Sequence, residues 1–483
     1  MNAILICNVG GRDVVSKAFP KDNIGERTWA ETVLARYHEL YATLRLPIIG
    51  KALQYLAERQ IALDHVILIA SDQPPPPDGN DQFWSSDTIH SAAIIRRLLS
   101  EGHTPYPALP TEQITIWTIR DERDRGCDPS DYDLTLRFLE RQLTKLQYQY
   151  PQHTAFLEVT GGTPAMTTGL LIAGTEVFGS RAEVLSIHPA QEIPIALNTG
   201  KRLLATPLRA TLRSNAATYA YAAAARTFLE QEAIITDRLD PKAASLIDPL
   251  LDYAHYRFNF DFANARKALA KIDHAGPWQT ELATLQAQVV SPDRRSLLAE
   301  VVHGAAARYE IGLYADFLVQ VVRFEENLLR YLCLLQGAEF RNRRGSSDPD
   351  GPYLAREWLQ QQPFTLSRDR DPRRDLPADR SVLRELIGQL LYPPDHYQQA
   401  LLQAIDRLGE LVKRRNELTH HLEGVQKIGL ARAFAGQQAS STAADQIVPH
   451  LQHLYEAVCK QPLPPSPYQQ INHLLERLLQ SKE

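Results

Sequence analysis

The chain has 483 residues, 44% of them hydrophobic and 23% charged, and carries a net charge of −5. That length exceeds one ordinary core, so two domains are the minimum, and the composition excludes a disordered chain. The acidic balance excludes a protein that grips long duplexes over its whole surface; any RNA contact must be confined to a local basic groove.

From the start to about Arg209, short β-rich runs alternate with amphipathic helices. The order is a strand at Ala3–Val9, a helix near Trp29–Leu44, a strand at His65–Ala70, and a helix near Ser86–Ser100. A strand at Gln113–Ile119, a helix near Tyr132–Tyr148, a strand at Ala155–Thr160, a helix near Pro164–Phe178 and a strand at Glu183–His188 follow. This alternation predicts a Rossmann-like parallel sheet with helices on both faces. Such sheets bind ligands beyond the carboxyl ends of their strands.

Past Thr211 nearly everything reads as helix, including the alanine-rich Ala216–Ala225 and the segment Tyr256–Lys271. Apolar residues recur at three- and four-residue spacing in Leu297–Leu335, Val382–Leu391 and Tyr397–Leu411. A polar stretch from Arg341 to Arg380 reads as a long loop or a partly disordered segment. The expected division is 1–210 α/β, 211–295 a helical linker region, and 296–483 an all-α module.

Cys7, Cys127, Cys333 and Cys459 lie far apart, against both a zinc ribbon and a disulfide framework. No run approaches the ~20 apolar residues needed to cross a bilayer. With no leader ahead of the first strand, the expectation is a cytoplasmic protein with no membrane partner.

Three predicted strand ends carry ligand-binding residue types. Asn8, Gly10, Gly11 and Arg12 follow the first strand, Ser71 and Asp72 the second, and Thr160-Gly161-Gly162-Thr163 the fourth. Gly161 and Gly162 permit close backbone approach, and the helix from Pro164 offers free amide groups and a positive dipole end. The threonines add hydroxyls for phosphate or ribose. Neither the Walker loop nor the Gly-x-Gly-x-x-Gly fingerprint occurs. Standing alone, the segment also reads as a plain strand-to-helix turn.

In the helical part, Arg415-Asn416-Glu417-Leu418-Thr419-His420 puts an arginine, an amide and a histidine on one helix, with no metal-ligand set nearby. Asn416 and His420 are four apart and share a face, and the long Arg415 side chain can swing toward them. RNA carries its own nucleophile, the 2′-hydroxyl. A ribonuclease therefore needs in-line positioning, proton transfer and charge stabilisation, but no metal. Histidine titrates near neutrality, and arginine offers a fork to phosphate oxygens. The roles that fit are His420 for proton transfer, Arg415 for charge stabilisation and Asn416 for orientation, with His421 a substitute for His420. From residues alone, Arg415 and His420 read equally as solvated or capping groups, with Glu417 and His421 a surface pair.

Arg-Asn-x-x-x-His on a helix of an all-α module resembles the HEPN ribonucleases. A Thr-Gly-Gly-Thr turn after the fourth strand of a Rossmann-like domain, joined to such a module, resembles the CARF proteins of type III CRISPR systems. The resemblance extends to Ser71-Asp72-Gln73, to Asp87-Thr88-Ile89 and to Ala306–Leu335, and is loose over Thr211–Pro292. One departure is Pro164, where family members often carry a lysine; Arg12 is the candidate replacement. The resemblance implies a homodimer whose paired CARF domains hold a cyclic oligoadenylate, tetra- or hexa-adenylate, as allosteric activator, with no other cofactor. It further implies composite HEPN sites that cleave single-stranded RNA in antiviral defence. Two alternatives stay open: a sensor whose HEPN module is not catalytic, and a CARF crevice that slowly cleaves its own ring.

Overall fold

The computed structural model describes residues 2–75, 83–104, 106–188, 191, 193–272, 275–344, 346–362, 375–421 and 424–482, and of residues 415–421 the backbone alone. The chain divides into two compact units, one of residues 1–210 and 230–237, the other of 211–229 and 238–483.

The first unit is built on a six-stranded sheet. Its strands are β1 (Asn2–Asn8), β2 (Ala62–Ala70), β3 (Ile114–Thr118), β4 (Thr154–Glu158), β5 (Ala182–Ser186) and β6 (Ile195–Leu197). Their order is β3-β2-β1-β4-β5-β6, with β1 to β5 parallel and β6 antiparallel at the edge. The α/β reading of this part is correct. β6, of three residues, was not foreseen, because three residues are too few to display a two-residue period.

Helices α1 (Glu26–Ala35), α2 (Ile49–Glu58) and α3 (Ile89–Ser100) share one core with Ala3, Leu5 and Cys7 of β1. On the other face α4 (Tyr132–Gln149) and α5 (Pro164–Phe178) share a core with Ile4 and Ile6. Alternate residues of β1 thus feed opposite cores, as the pleat requires, and the strand is apolar on both faces because both are covered. The predicted helix near Trp29–Leu44 breaks after Ala35 into a short helix, Tyr37–Leu40, and a single tight turn, Tyr41–Thr43. α2 is an addition that its buried Ile49, Ala52, Leu53 and Leu56 announce at helical spacing.

In the second unit, α6 (Arg294–Glu310) and α7 (Tyr314–Leu335) pack against α8 (Arg380–Leu390), α9 (His396–His421), α10 (Lys427–Ala435) and α11 (Ile447–Cys459). Asp293 caps α6 by accepting from Ser296 N at 2.7 Å, and Asp379 caps α8 by accepting from Val382 N at 2.9 Å. Arg380 clamps the fully buried Glu325 of α7 at 2.8 and 2.9 Å, tying α8 to α7.

Expected helical stretches are interrupted where the backbone turns left-handed. Leu297–Leu335 splits at Gly312 (φ +76°), Tyr256–Lys271 at Phe260 (φ +61°), and the alanine-rich segment at Tyr219 (φ +59°). The Arg341–Arg380 stretch is not simply loop. Phe340–Arg341, Tyr353–Leu354 and Leu376–Pro377 form a small antiparallel sheet, and Arg356–Gln361 is a helix. Leu354 and Trp358 are buried in the core of the second unit, which is what draws this polar stretch into order.

Candidate functional sites

Successive strands step outward from β1 to β2 and β3 on one side, then return to β4 on the other. Strand order therefore reverses between β1 and β4, where open α/β sheets form a crevice. The two strands run in register from Ala3 opposite Thr154 to Cys7 opposite Glu158, so the turns that follow them emerge side by side.

Those turns interlock. A Cβ built on Gly10 would lie 2.7 Å from Gly162 N, and one on Gly161 would lie 2.5 Å from Asn8 O and 2.7 Å from Asp13 Oδ2. Only glycine fits at either place. Gly162 also sits at φ +82°, a conformation glycine adopts without penalty. Gly11 and Gly162 are exposed at the mouth, Arg12 is exposed on the first turn, and Asn8 is wholly buried beneath. Neither amide atom of Asn8 has a hydrogen-bond partner.

The threonine hydroxyls make internal hydrogen bonds. Thr160 Oγ1 accepts from Ile187 N at 2.7 Å. Thr163 is the N-cap of α5: its Oγ1 accepts from Met166 N at 3.2 Å and donates to Pro129 O. Pro164 then occupies the first helical position, as that cap allows.

The second loop is occupied with its own bonds. Ser71 and Thr88 bond reciprocally, Ser71 N to Thr88 Oγ1 at 3.1 Å and Thr88 N to Ser71 Oγ at 3.3 Å. Arg27 donates to Asp72 Oδ1 at 2.6 Å and to the buried Asp87 Oδ2 at 2.9 Å, and Gln73 N donates to the same Asp87 oxygen at 2.7 Å. These bonds anchor Ser71 and Asp72 to α1 and α3. Among the described residues no hydrogen bond joins this loop to the two glycine turns.

Sequence reasoning passed over two residues at the floor of the crevice, Asp13 and Glu158. Asp13 Oδ2 accepts from Gly10 N at 2.7 Å and Glu158 Oε1 accepts from Thr160 N at 2.8 Å, while the second oxygen of each carboxylate has no partner. Burial pushes Glu158 up to about 7, against the pull of the Thr160 hydroxyl and the Thr160 and Gly161 N–H groups. Burial, then the charge of Glu158, hold Asp13 well above the ordinary carboxylate range. The signal was present in the sequence: a glutamate ending the apolar run Ala155-Phe156-Leu157 on a strand covered on both faces.

In the second unit, α9 runs as helix through His421, which places positions 416 and 420 one turn apart. The side chains of Arg415, Asn416, Glu417, His420 and His421 lie outside the described residues. Upstream, Ile405, Leu408 and Leu411 are fully buried and fix the helix to its core. A groove of about 800 Å³ runs between α9 and α10, lined by Arg407, Lys413, Arg414 and Arg432 against Asp406 and Glu410. Asp406 is taken up by Arg384 at 2.8 Å, and Glu410 by Lys413 at 2.6 Å. A second space of about 380 Å³ shares Arg414, Gly429 and Arg432 with it. This is a local basic groove in an acidic protein.

Among the described residues no three His, Cys, Asp or Glu side chains are grouped to hold a metal ion, and no helix is long and apolar enough to cross a membrane.

No family model and no curated protein matches the chain. A solved structure does: Enterococcus italicus Csm6 bound to cyclic hexa-2′-fluoro-hexa-dAMP, at a TM-score of 0.61 and 14% identity, covering 99% of this chain and 100% of that one. Csm6 is a CARF–HEPN protein, the architecture to which the sequence motifs pointed. From end to end, this chain has the CARF–HEPN fold of Csm6.

Proposed function

We propose that the chain is a cyclic-oligoadenylate-activated, metal-independent endoribonuclease of type III CRISPR antiviral defence that cleaves single-stranded RNA as a homodimer. The observation that carries this reading is the match along 99% of the chain to a protein solved with a cyclic hexanucleotide. The interlocked glycine turns between β1 and β4 support it, since they bring backbone close to a crevice where strand order reverses. A symmetric ring calls for a symmetric receptor, so two copies of this crevice facing one another about a two-fold axis would enclose it. The ring activates by favouring the dimer state in which the catalytic residues are aligned.

In the effector, the substrate 2′-oxygen attacks phosphorus as the P–O5′ bond breaks. His420 moves the proton, Arg415 balances the charge gathering on the phosphoryl oxygens, and Asn416 orients the phosphate. The products carry a 2′,3′-cyclic phosphate and a 5′-hydroxyl. Single strands suit this chemistry because the phosphodiester must rotate in line with its own 2′-oxygen, which a regular duplex resists. The basic groove between α9 and α10 is the track for the strand. Arg432→Glu is therefore expected to raise KM for RNA about tenfold while leaving ring binding unchanged; an unchanged KM would place the strand elsewhere.

The test of the whole reading is cleavage of a fluorogenic single-stranded RNA in excess chelator, with and without cyclic tetra- and hexa-adenylate. Activation by one ring is the expected result. Loss of cleavage in chelator would overturn the metal-free mechanism, and silence despite ring binding would leave a sensor with a non-catalytic HEPN module. Slow cleavage of the ring itself is a second reading that Asn8 favours. Its buried, unpartnered amide lies under the glycine turns, able to hold a ring 2′-hydroxyl once the turns open.

A further inference from the structure

Beneath the glycine turns two carboxylates are buried, and among the described residues neither makes an ion pair. Glu158 ends the central strand β4, and Asp13 closes the turn after β1. Each spends one oxygen on a turn: Glu158 on Thr160 N at 2.8 Å, Asp13 on Gly10 N at 2.7 Å. The carboxylates thus play toward their own loops the part that an anion plays at a nest of backbone N–H groups. The remaining oxygen of each is buried and unpartnered, as are both amide atoms of Asn8 next to them. Four polar atoms without a protein partner therefore lie directly under one crevice, each carrying a desolvation cost.

Of the surrounding charges, Lys21 pulls Asp13 down, but less than burial and Glu158 push it up. Cys7 on β1, opposite Glu158, is a buried thiol pushed up by burial and then by these same carboxylates. Glu26 on α1 adds a further negative charge that is met by Lys21, and Glu26 Oε1 accepts from Ser91 Oγ at 2.5 Å. On the other side of β4, Leu185 of β5 faces Glu158 and carries no charge.

We infer that Glu158 and Asp13 are positioning residues of the ligand crevice. They hold the two glycine turns by their N–H groups, and docking of an anionic cyclic nucleotide on those turns drives a proton onto the pair. This rests on the ligand reading above and adds a coupling to it. The sign follows from charge: phosphates brought onto the turns disfavour the carboxylate form below them, so the complex binds more protons than the free protein. Affinity then falls as pH rises. Burial already pushes Glu158 up to about 7 in the free protein, and burial with the charge of Glu158 holds Asp13 well above the ordinary carboxylate range. A further rise of about one unit in the complex would weaken binding roughly tenfold between about pH 6 and about pH 8.5.

The test is calorimetric titration of the full chain with cyclic hexa-2′-fluoro-hexa-dAMP, a ring without 2′-hydroxyls, so that binding is read apart from ring cleavage. Running it near pH 7 in buffers of different ionisation heat counts the protons exchanged. Wild-type protein is expected to take up about half a proton or more per crevice. Glu158→Gln keeps an oxygen that accepts from Thr160 N but does not titrate, so it is expected to bind at the lower pH with the proton uptake cut and the pH profile flattened. Asp13→Asn tests the other member in the same way. Binding by wild type with no proton exchange, or an unchanged pH slope in Glu158→Gln, would overturn the inference. Failure of wild type to bind any ring would instead overturn the ligand reading, and this inference with it.

Discussion

In the His420→Ala protein, cleavage of single-stranded RNA is expected to fall by about three orders of magnitude, the range over which a positioned acid–base group contributes. Ring binding should be untouched, because the crevice belongs to the other compact unit. Arg415→Ala should fall by about two orders of magnitude, since it removes stabilisation of transition-state charge and leaves the proton path in place. His421→Ala is the discriminating control: the neighbouring histidine is about 100° round the helix, so its loss should cost little. If His421→Ala loses the activity and His420→Ala keeps it, the acid–base role moves by one residue. If both keep full activity, the effector site is wrong. The measurement is initial rate with saturating ring, alongside calorimetry to show that the ring still binds.

Gly161→Arg is expected to abolish activation while leaving basal cleavage in place. The first atom of any side chain there would stand 2.5 Å from Asn8 O and 2.7 Å from Asp13 Oδ2, so the fourth-strand turn must move off the first. Overpacking of this kind costs about 1–3 kcal/mol, which as lost affinity is roughly ten- to a hundredfold. A long cation at the crevice also changes its shape directly. Thermal melting separates displacement of a turn from collapse of the unit, and Gly429→Arg, on α10 of the second unit where a Cβ meets nothing within 4 Å, serves as a control for the added charge on ring binding. Undiminished ring activation in Gly161→Arg would place the ligand elsewhere.

The sheet was legible because buried parallel strands are apolar runs bounded by turn residues, and β1, β2, β4 and β5 fall within a few residues of their expected places. Helix breaks were not legible. At Tyr219 and Phe260 the chain turns through left-handed residues that carry bulky side chains, and no proline or glycine announces the change. The polar Arg341–Arg380 stretch misled for the opposite reason: its order comes from burying Leu354 and Trp358 in a distant core, a tertiary effect that local composition does not record. In the crevice, glycines were readable as close-approach residues, and the structure supplies the atoms they approach. What the sequence did not announce is the internal bonding of the threonine hydroxyls, Thr163 as a helix cap and Thr160 as acceptor from Ile187 N just past β5. Glu158 and Asp13 went unnoticed because an acidic residue near a turn is ordinarily solvated, and only burial makes these two exceptional.

The return of residues 230–237 to the first unit, where Arg209 Nε donates to Ile235 O at 2.7 Å, means that the chain passes between the units three times, after 210, after 229 and after 237. A gene fragment ending at residue 210 would thus strip the first unit of a segment it holds, and one starting at 211 would carry that segment as an unhoused insert. The two units are spliced rather than strung together. An exchange of the first unit has to move two pieces of sequence at once, which sets a barrier to recombination that a simple tandem of modules would not face.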